Sequence, residues 1–334
     1  MKRWHRVRDD RGVSTVLLAL LLPVILGVQA LTIDVTRMFV ERRELQNAVD
    51  AAALAAAAYL PGADAAVLAR AREAAMAYAL LNGVPIAEAD VVFSTDIQPN
   101  DRVQVSAQAD VTFAFARTFG LTSGTVRAQS IAQVGQLGGM LGILPLGIVP
   151  PADGLQMGEA YCLTLKSSGN PNACPDANEG DFHGIDIDAE GNNSASIYRG
   201  RIATGSLTTV HVGDVRGVLP GNMNNPTRQG FDDRLGSNTD DFSDVIQESD
   251  DCEEEEEDCL YQVLDWGSPR IGLVPIIDYD NSTGTILGFA VFFIESNPGN
   301  GNVVGRFINT LVPGGEWAPL GSSSYGTHVV RLTQ

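Results

Sequence analysis

The feature of this sequence that most restricts its fold is an uncharged, strongly apolar run from residue 12 to residue 33. The run is 22 residues long, and an α-helix needs about 20 residues to cross the hydrocarbon core of a bilayer. After Asp34 the sequence continues in helix-favouring residues, without glycine or proline before Pro61 and Gly62. We therefore predict one long helix whose residues 13–33 cross a membrane and whose remainder continues beyond it.

An alternative is that this run is a secretory signal that is removed after export. The apolar core of a signal peptide is shorter, at roughly 7 to 15 residues, and this favours retention. Val28, Gln29 and Ala30 nevertheless resemble a small-x-small cleavage site. Removal therefore stays open, and a chain processed there begins at Leu31.

The distribution of charge predicts the orientation of the span and argues against one class of partner. The tip before it, residues 1–12, has a net charge of +3, and its basic residues are Lys2, Arg3, Arg6, Arg8 and Arg11. The positive-inside rule places this tip in the cytoplasm and the bulk outside, as a single-pass protein of the cell membrane. Because the whole chain carries −19, the exported part carries −22. A surface this acidic repels nucleic acid and anionic headgroups, so the predicted partner is the lipid bilayer through the span, with no nucleic acid.

Residues 34–135 combine helical and strand-like patterns. The outer part of the first helix keeps an apolar face at helical spacing, which must pack on something. This face consists of Val35, Met38, Phe39, Leu45, Ala48, Val49 and Ala52. A second, alanine-rich helix is predicted over residues 64–81, and residues 103–115 and 126–134 alternate as half-buried strands do. We predict a helix packed on an antiparallel sheet, the layout of pilin-like proteins.

Two stretches carry a family resemblance, "LQNAVDAAALAAA" and "FARTFGLTSGTVRAQSIA". With their surroundings, over residues 11–135, they resemble the N-terminal region of TadG-like proteins of the Tad (Flp) pilus assembly system. Weaker similarity to the ectodomain of some members continues in "GDFHGIDIDAEG", "PGNMNNPTRQGFDDRL" and "LGFAVFFIE". The resemblance implies a non-catalytic component of pilus assembly or surface adhesion in a bacterial envelope, with other Tad pilus-assembly proteins as partners. Leu17 stands where the prepilins of this system carry glutamate five residues after their cleaved glycine, which argues against prepilin processing.

The remaining residues, 136–334, predict an irregular β-rich extracytoplasmic domain. The stretch "GQLGGMLGILPLGIVPP" is rich in glycine and proline and marks a domain junction or a first edge strand. Short strands and turns follow, including "GDFHGIDIDAEGNNSASIYRGRI", and "GLVPIID" and "TILGFAVFFIE" flank a polar turn as a central hairpin. Because long helical periodicity is absent here, the predicted fold class of the whole chain is α+β.

Four cysteines, Cys162, Cys174, Cys252 and Cys259, all lie in the exported part. An even number in an oxidising compartment predicts disulfides, for which three pairings exist. We favour the local pairs, Cys162 with Cys174 and Cys252 with Cys259, because short, turn-rich separations meet most easily. The second pair encloses the acidic stretch "EEEEED", which we interpret as a solvated loop, with calcium capture or a basic partner as alternatives.

Other motifs favour plain structural interpretations. Asp186, Asp188 and Gly191 imitate the first half of a calcium loop, but Ile197 stands at the twelfth position, where a glutamate is needed. The glycines of "NPGNGNVVG" lack the lysine of a phosphate loop and indicate a hairpin. Residues 241–245 lack the second serine of the Asp-x-Ser-x-Ser metal motif that some relatives carry. The exported histidines, His183, His211 and His328, lie in separate segments without a nucleophile motif.

We therefore predict no catalytic, cofactor-binding or metal-binding residues, and no cofactor. Two other hypotheses stay open. One is a tethered module that binds an extracellular ligand independently of pili. The other is an envelope enzyme, which would require histidine and carboxylate groups to converge in a cleft.

Overall fold

A single helix, α1 (Arg11–Ala57), runs 47 residues through the predicted span and into the folded head, and Pro23 lies inside it. The structure is a computed structural model that describes residues 11–62, 64–166, 174, 177–191, 194–248, 260–321 and 325–333. The other helices are α2 (Ala65–Leu81), α3 (Ala195–Thr204), α4 (Asn224–Leu235) and α5 (Phe242–Val245). The chain therefore has the predicted long apolar helix ahead of a β-rich region, in a mixed α+β fold.

The strands of the described residues, in chain order, are β1 (Val91–Ser94), β2 (Arg102–Thr112), β3 (Ser123–Met140), β4 (Leu146–Val149), β5 (Ala160–Leu165), β6 (Asn178–Gly184), β7 (Val210–His211), β8 (Val215–Gly217), β9 (Ile246–Glu248), β10 (Tyr261–Val263), β11 (Ile271–Asp280), β12 (Thr283–Gly299), β13 (Asn302–Ile308), β14 (Thr310–Leu311), β15 (Glu316–Ala318) and β16 (Thr327–Thr333). They form a first sheet, a barrel, and the small antiparallel pair β9–β10.

The two predicted helices form an antiparallel pair that packs closely through alanine. α2 begins within one residue of the prediction, because Asp64 accepts a hydrogen bond from the N–H of Ala66 at 3.0 Å as its N-cap. It ends at Asn82, and Gly83 follows with φ +81°. Eight alanines of the two helices are fully buried: Ala48, Ala52, Ala53, Ala56 and Ala57 on α1, and Ala71, Ala75 and Ala79 on α2. Small side chains let the two backbones approach.

The first sheet packs one face on this helical pair. Its order is β1-β2-β3-β16-β14, and β7 and β15 also pair with β3. β2 and β3 are antiparallel in an unbroken register from Arg102↔Gln133 to Thr112↔Ser123. The alternating residues predicted for one face of β3 are all buried: Val126, Ala128, Ser130, Ala132 and Val134. The predicted unit boundary at residue 135 falls inside β3, whose outer half pairs with strands from the C-terminal part of the chain.

Within the region after residue 135, which was predicted to be irregular and β-rich, seven strands form a second sheet that closes into a barrel. Its strands follow the order β11-β4-β6-β5-β13-β12, and β12 pairs again with β11 to close the ring, with β8 added on β12. β4, from the glycine- and proline-rich stretch, is therefore a strand of the barrel wall that is paired on both sides, and it is not an edge strand. Local patterns did not reveal this closure because it depends on pairings between distant segments, such as Ile276 with Ile148.

Large apolar side chains, including Phe182, Phe292 and Phe307, belong to one core cluster with residues of α3 and α4. The predicted central hairpin is present as β11 and β12, which pair from Ile271↔Phe293 to Asp280↔Thr283. The predicted hairpin at "NPGNGNVVG" is also present, with Asn300 at φ +55° and Gly301 at φ +76° in the turn between β12 and β13.

Helices α3 and α4 correct the prediction of strands and turns in their segments. Both are too short and polar to show a clear helical period. α3 begins at the N-cap Ser194, and the two helices pack across Gly230, where an added Cβ would lie 2.7 Å from Cβ of Ile202. Their stability comes from tertiary contact, which sequence periodicity does not report.

Candidate functional site

The first element of the candidate site is the exposed half of α1. Thr15–Ala57 meets the length and composition of a membrane-crossing helix, with a mean hydropathy of 2.5 in an 18-residue window that is 0% buried. The polar side chains Thr32 and Thr36 bond back to the helix, each hydroxyl donating to a carbonyl four residues earlier at 2.8 Å. Such bonds satisfy hydroxyl groups in a non-polar surrounding. This half of α1 is therefore suited to lipid, in agreement with the predicted span.

The second element is the junction at Asp34, the first charged residue after the span. Asp34 is 2% exposed, and its carboxylate accepts N–H bonds from Ala114 at 2.7 Å, Phe115 at 2.9 Å and Ala116 at 2.7 Å. These donors precede and begin a short 3₁₀ helix, Ala116–Phe119, whose free N–H groups favour a negative charge. Asp34 therefore attaches α1 to the turn between β2 and β3.

Two opposing influences set the ionisation of Asp34. Burial raises the pKa of its carboxyl group, but the three N–H donors and the nearby Arg37 together outweigh burial, so the pKa lies below its usual range. Asp34 is therefore a carboxylate at neutral pH. Sequence analysis did not single out this residue. The signal was present, since a carboxylate directly after an apolar span either faces water or has partners in the fold.

The apolar face predicted on the outer half of α1 divides into two parts. From Leu45 onward it is buried against α2 and the first sheet. Nearer the span, Val35 and Phe39 are exposed at 41% and 66%. The predicted packing of this face is therefore present in the head from Leu45 onward, whereas Val35 and Phe39, at the end nearest the span, stay exposed.

The third element is a cleft of about 630 Å³ between the helical pair and the strands β9, β10 and β14. Its walls are mainly apolar and aromatic, and include Leu54 and Tyr78 from the helices and Tyr261, Trp266 and Val312 from the β region. This volume and lining match those of ligand pockets in general. Glu248 and Leu260, at its rim, flank the acidic stretch, which itself lies outside the described residues.

The predicted cysteine pairs have different outcomes. Cys162 on β5 forms a disulfide with Cys174, with 5.9 Å between their Cα atoms. Cys252 and Cys259 lie outside the described residues, so their pairing stays a prediction. The basic tip, residues 1–10, also lies outside them.

The half calcium loop has a structural use in the fold. Asp186 accepts the N–H groups of Glu190 and Gly191 within its own turn. Asp188 pairs with Arg201 of α3 and accepts N–H bonds from Leu207 and Thr208. Burial raises the pKa of Asp188, but these donors outweigh it and lower the pKa overall. Asp186 thus stabilises its own turn and Asp188 ties the loop to α3, and the described residues contain no cluster of three metal-ligating side chains.

His183, His211 and His328, the three histidines of the part predicted to be exported, do not converge within the described part of the chain. His183 on β6 stacks on Tyr279, with ring centroids 3.9 Å apart, and its burial lowers the pKa despite Asp181, which raises it. His211 on β7 lies 3.3 Å from a carboxylate oxygen of Glu316. His328 lies on β16. Each histidine therefore has its own surroundings in a different strand.

Comparison with known proteins gives one positive finding, which concerns the same helix. Residues 12–58 match a family model described as putative Flp pilus-assembly TadE/G-like. No curated protein and no solved structure matches the chain. The matched residues comprise the exposed half of α1, the Asp34 junction and the alanine-rich part packed in the head. The resemblance inferred from the sequence is therefore confirmed over this segment, in which residues 12–58 are similar to the TadE/G-like Flp pilus-assembly family.

Proposed function

We propose that this protein is a membrane-anchored, extracytoplasmic component of Tad/Flp-type pilus assembly or surface adhesion, with a structural and non-catalytic role. The observation that carries the proposal is the coincidence of the TadE/G-like match, residues 12–58, with a helix that is exposed and apolar at one end and buried in the head at the other. Other proteins of the Tad system are the proposed partners, and α1 with β1, β2 and β3 is the proposed pilin-like unit.

The proposed orientation places residues 1–12 in the cytoplasm and the head outside. Five basic residues before the span support it. Intact-mass measurement of the membrane form tests retention of the span. A chain that begins at Leu31 would show that the span is removed and that the protein is not anchored by it.

Deletion of the gene tests the role in pilus assembly. We expect fewer pili and weaker surface attachment, both restored by the full chain. The matched control replaces residues 1–33 with a cleavable export signal, so that the head is exported without its anchor; this variant should not restore pili. Unchanged pilus number and attachment after deletion would overturn the proposal.

The cleft favours a second candidate, a tethered module that binds an extracellular ligand independently of pili. Ala74 lines the cleft, whereas Ala69 lies exposed elsewhere on α2. Under the ligand-binding candidate, Ala74→Trp weakens attachment without changing pilus number, and Ala69→Trp changes neither.

The genomic position of the gene also distinguishes the two candidates. Neighbouring genes that encode a secretion ATPase and a prepilin peptidase favour the first candidate, and an isolated gene favours the second.

A further inference from the structure

The turn that Asp34 holds, residues 113–122, exposes large apolar side chains; we call it the β2–β3 loop. Phe119 is 80% exposed, Leu121 59% and Phe115 43%. Beside the loop, α1 exposes Val35 and Phe39. Scattered apolar residues are normal on protein surfaces, but a group of this kind at one end of a fold marks a contact surface.

Two hydrogen-bonded positions fix where the β2–β3 loop lies along α1. At the position nearer to the span, Asp34 accepts hydrogen bonds from the N–H groups of residues 114–116. Twelve residues further along the helix, the Gln46 amide donates to the carbonyl of Gln129 on β3 at 3.2 Å. The strand therefore rises away from the span together with the helix. The loop is consequently at the end of the sheet nearest the membrane.

The length of the span determines where the β2–β3 loop lies relative to the hydrocarbon core of the bilayer. The uncharged run of 22 residues rises about 33 Å as a helix, while the hydrocarbon core is about 30 Å thick. Asp34 then lies at the outer boundary of the core, and the polar layer extends roughly 5 to 8 Å beyond it on each side. A loop bonded to Asp34 is in this layer, where aromatic and apolar side chains on a basic segment are favoured.

Local charge agrees with this position although the exported part as a whole carries −22. Residues 113–127 include Arg117 and Arg127 and contain no acidic residue. These two basic groups offset the Asp34 and Asp110 carboxylates that bond to the same segment, so the general repulsion between this acidic protein and anionic headgroups is weakened at the loop. Basic groups beside an anionic membrane surface are attracted to it.

We propose that the β2–β3 loop is a second membrane contact, in which Phe119 and Leu121 enter the outer headgroup layer of the bilayer that α1 crosses. This inference rests on the proposed anchoring by α1. Two contacts, one on the helix and one beside it, limit the tilt of the head relative to the membrane plane. The side of α1 that carries the sheet is then held toward the membrane.

Tryptophan fluorescence in vesicles tests the contact with the full chain. The variant Phe119→Trp, in a Trp4→Phe background, is reconstituted in phosphatidylcholine–phosphatidylglycerol vesicles with and without acyl-brominated phosphatidylcholine. The matched control is Leu264→Trp in the same background. Leu264 is 51% exposed and follows Val263, which lines the cleft beside Leu54. Leu54 is about 30 Å along α1 from Asp34, since each helical residue rises about 1.5 Å. The control position is therefore far from the proposed membrane contact.

We expect the emission that the tryptophan at position 119 adds to that of the Trp4→Phe parent to lie at short wavelength, as for a tryptophan in a non-polar surrounding. We also expect the brominated lipid to quench this added emission. The tryptophan at position 264 should show neither change. Leu121→Trp should behave like Phe119→Trp. Flotation of each variant with the vesicles reports anchoring separately. Floating protein whose residues 119 and 121 are not quenched would overturn the loop contact and leave the anchor intact, whereas loss of flotation would overturn the anchor itself.

Discussion

Two charged side chains, Asp34 and Arg234, have main-chain groups as their hydrogen-bond partners. Asp34 collects three N–H groups at the membrane-proximal turn. Arg234 of α4 donates to four carbonyls, those of Ile202 and Ala203 at the end of α3 and those of Pro269 and Ile271 at the start of β11. Burial lowers the pKa of Arg234 to about 10. Each of these residues joins segments that have no regular pairing with one another, so substitutions should act locally and specifically.

Substitution of Asp34 by alanine should remove the attachment between α1 and the β2–β3 loop. We expect hydrogen exchange at the amides of Ala114, Phe115 and Ala116 to become faster, because these groups lose their acceptor. Glu44→Ala, an exposed site on the same helix, is the control and should leave these amides protected. Equal exchange in both variants would contradict the attachment.

The same attachment should depend on pH in one direction. Because the pKa of Asp34 is lowered in the folded state, its stabilising effect is fully present above about 3.9, the value for an unperturbed aspartate. It is lost as the pH falls through the lower, folded value. Loss of protection at residues 114–116 that begins near neutral pH would contradict this sign.

Arg234→Lys should lower the free energy of unfolding by about 1–3 kcal/mol, because an ammonium group cannot reach carbonyls in the fixed fork geometry of a guanidinium. Arg228→Lys is the matched control on α4. Arg228 is half exposed and bonds Asp232 at 2.9 Å, so we expect a change within about 0.5 kcal/mol. Denaturant titration of the two variants provides the comparison, and similar losses would refute the role given to Arg234.

At the scale of elements, close approach of helices recurs at small residues. α1 and α2 meet through alanine, and α3 and α4 meet at Gly230, where an added Cβ would lie 3.0 Å from the carbonyl oxygen of Arg199. Gly200, on α3, has open space around its Cα. Both glycines lie in helices, but only Gly230 is at a close contact. Alanine substitutions at the two sites therefore distinguish the effect of packing from the effect of helix propensity.

Gly230→Ala should destabilise the head by about 1–3 kcal/mol through overpacking. Gly200→Ala should instead stabilise it by up to about 1 kcal/mol, because alanine favours the helix more than glycine does. Thermal or denaturant unfolding measures both. Stabilisation by Gly230→Ala would show that α3 and α4 are not in close contact.

The disulfide Cys162–Cys174 closes a loop with a sequence separation of 12 beside β5. Its removal by Cys162→Ser and Cys174→Ser together should cost about 3 kcal/mol of stability, chiefly by freeing the unfolded chain. Peptide mapping without reductant tests the pairing. We expect separate 162–174 and 252–259 links, and a peptide that joins the two regions would refute the local assignment.

At the scale of the whole molecule, the C-terminal strand joins the layers. β16 lies between β3 and β14 in the first sheet. Val329 belongs to the apolar cluster shared with the barrel, and Val330 packs on the cluster beneath the helices. Thr327 donates to the carbonyl of Phe289 on β12 at 2.7 Å. One strand therefore contacts two of the three hydrophobic core clusters of the described residues.

Removal of residues 327–334 should consequently destabilise both the helix-sheet part and the barrel, rather than only the part nearest the C-terminus. Limited proteolysis is a suitable measurement, with cleavage expected in β2–β3 as well as in β11–β12. A variant with Leu332→Ser, a 43% exposed residue of β16, serves as the control and should stay resistant. Protection of residues 91–140 in the truncated chain would contradict the joining role.

Sequence patterns were sufficient where the evidence is local. The apolar run gives α1, Asp64 and Asn82–Gly83 mark the limits of α2, and alternation gives β2 and β3. Sequence patterns were insufficient to predict pairing between segments that are distant along the chain. An example is the pair Val330 and Val134, which are 196 residues apart on β16 and β3. The barrel closure and the role of Asp34 belong to this second class, because the partners of Ile148 and Asp34 are set by topology rather than by neighbouring residues.

The position of β16 also has a consequence for the timing of folding. A chain exported in order of synthesis delivers α1, β2 and β3 early, but the strand that completes their sheet arrives last. Until then the edge of β3 presents unpaired main-chain groups, and incomplete edges of this kind are sites of aggregation and proteolysis. Completion of the head is therefore a check on chain integrity: a truncated product keeps an open edge on the outer half of β3, where proteases can distinguish it from the finished protein.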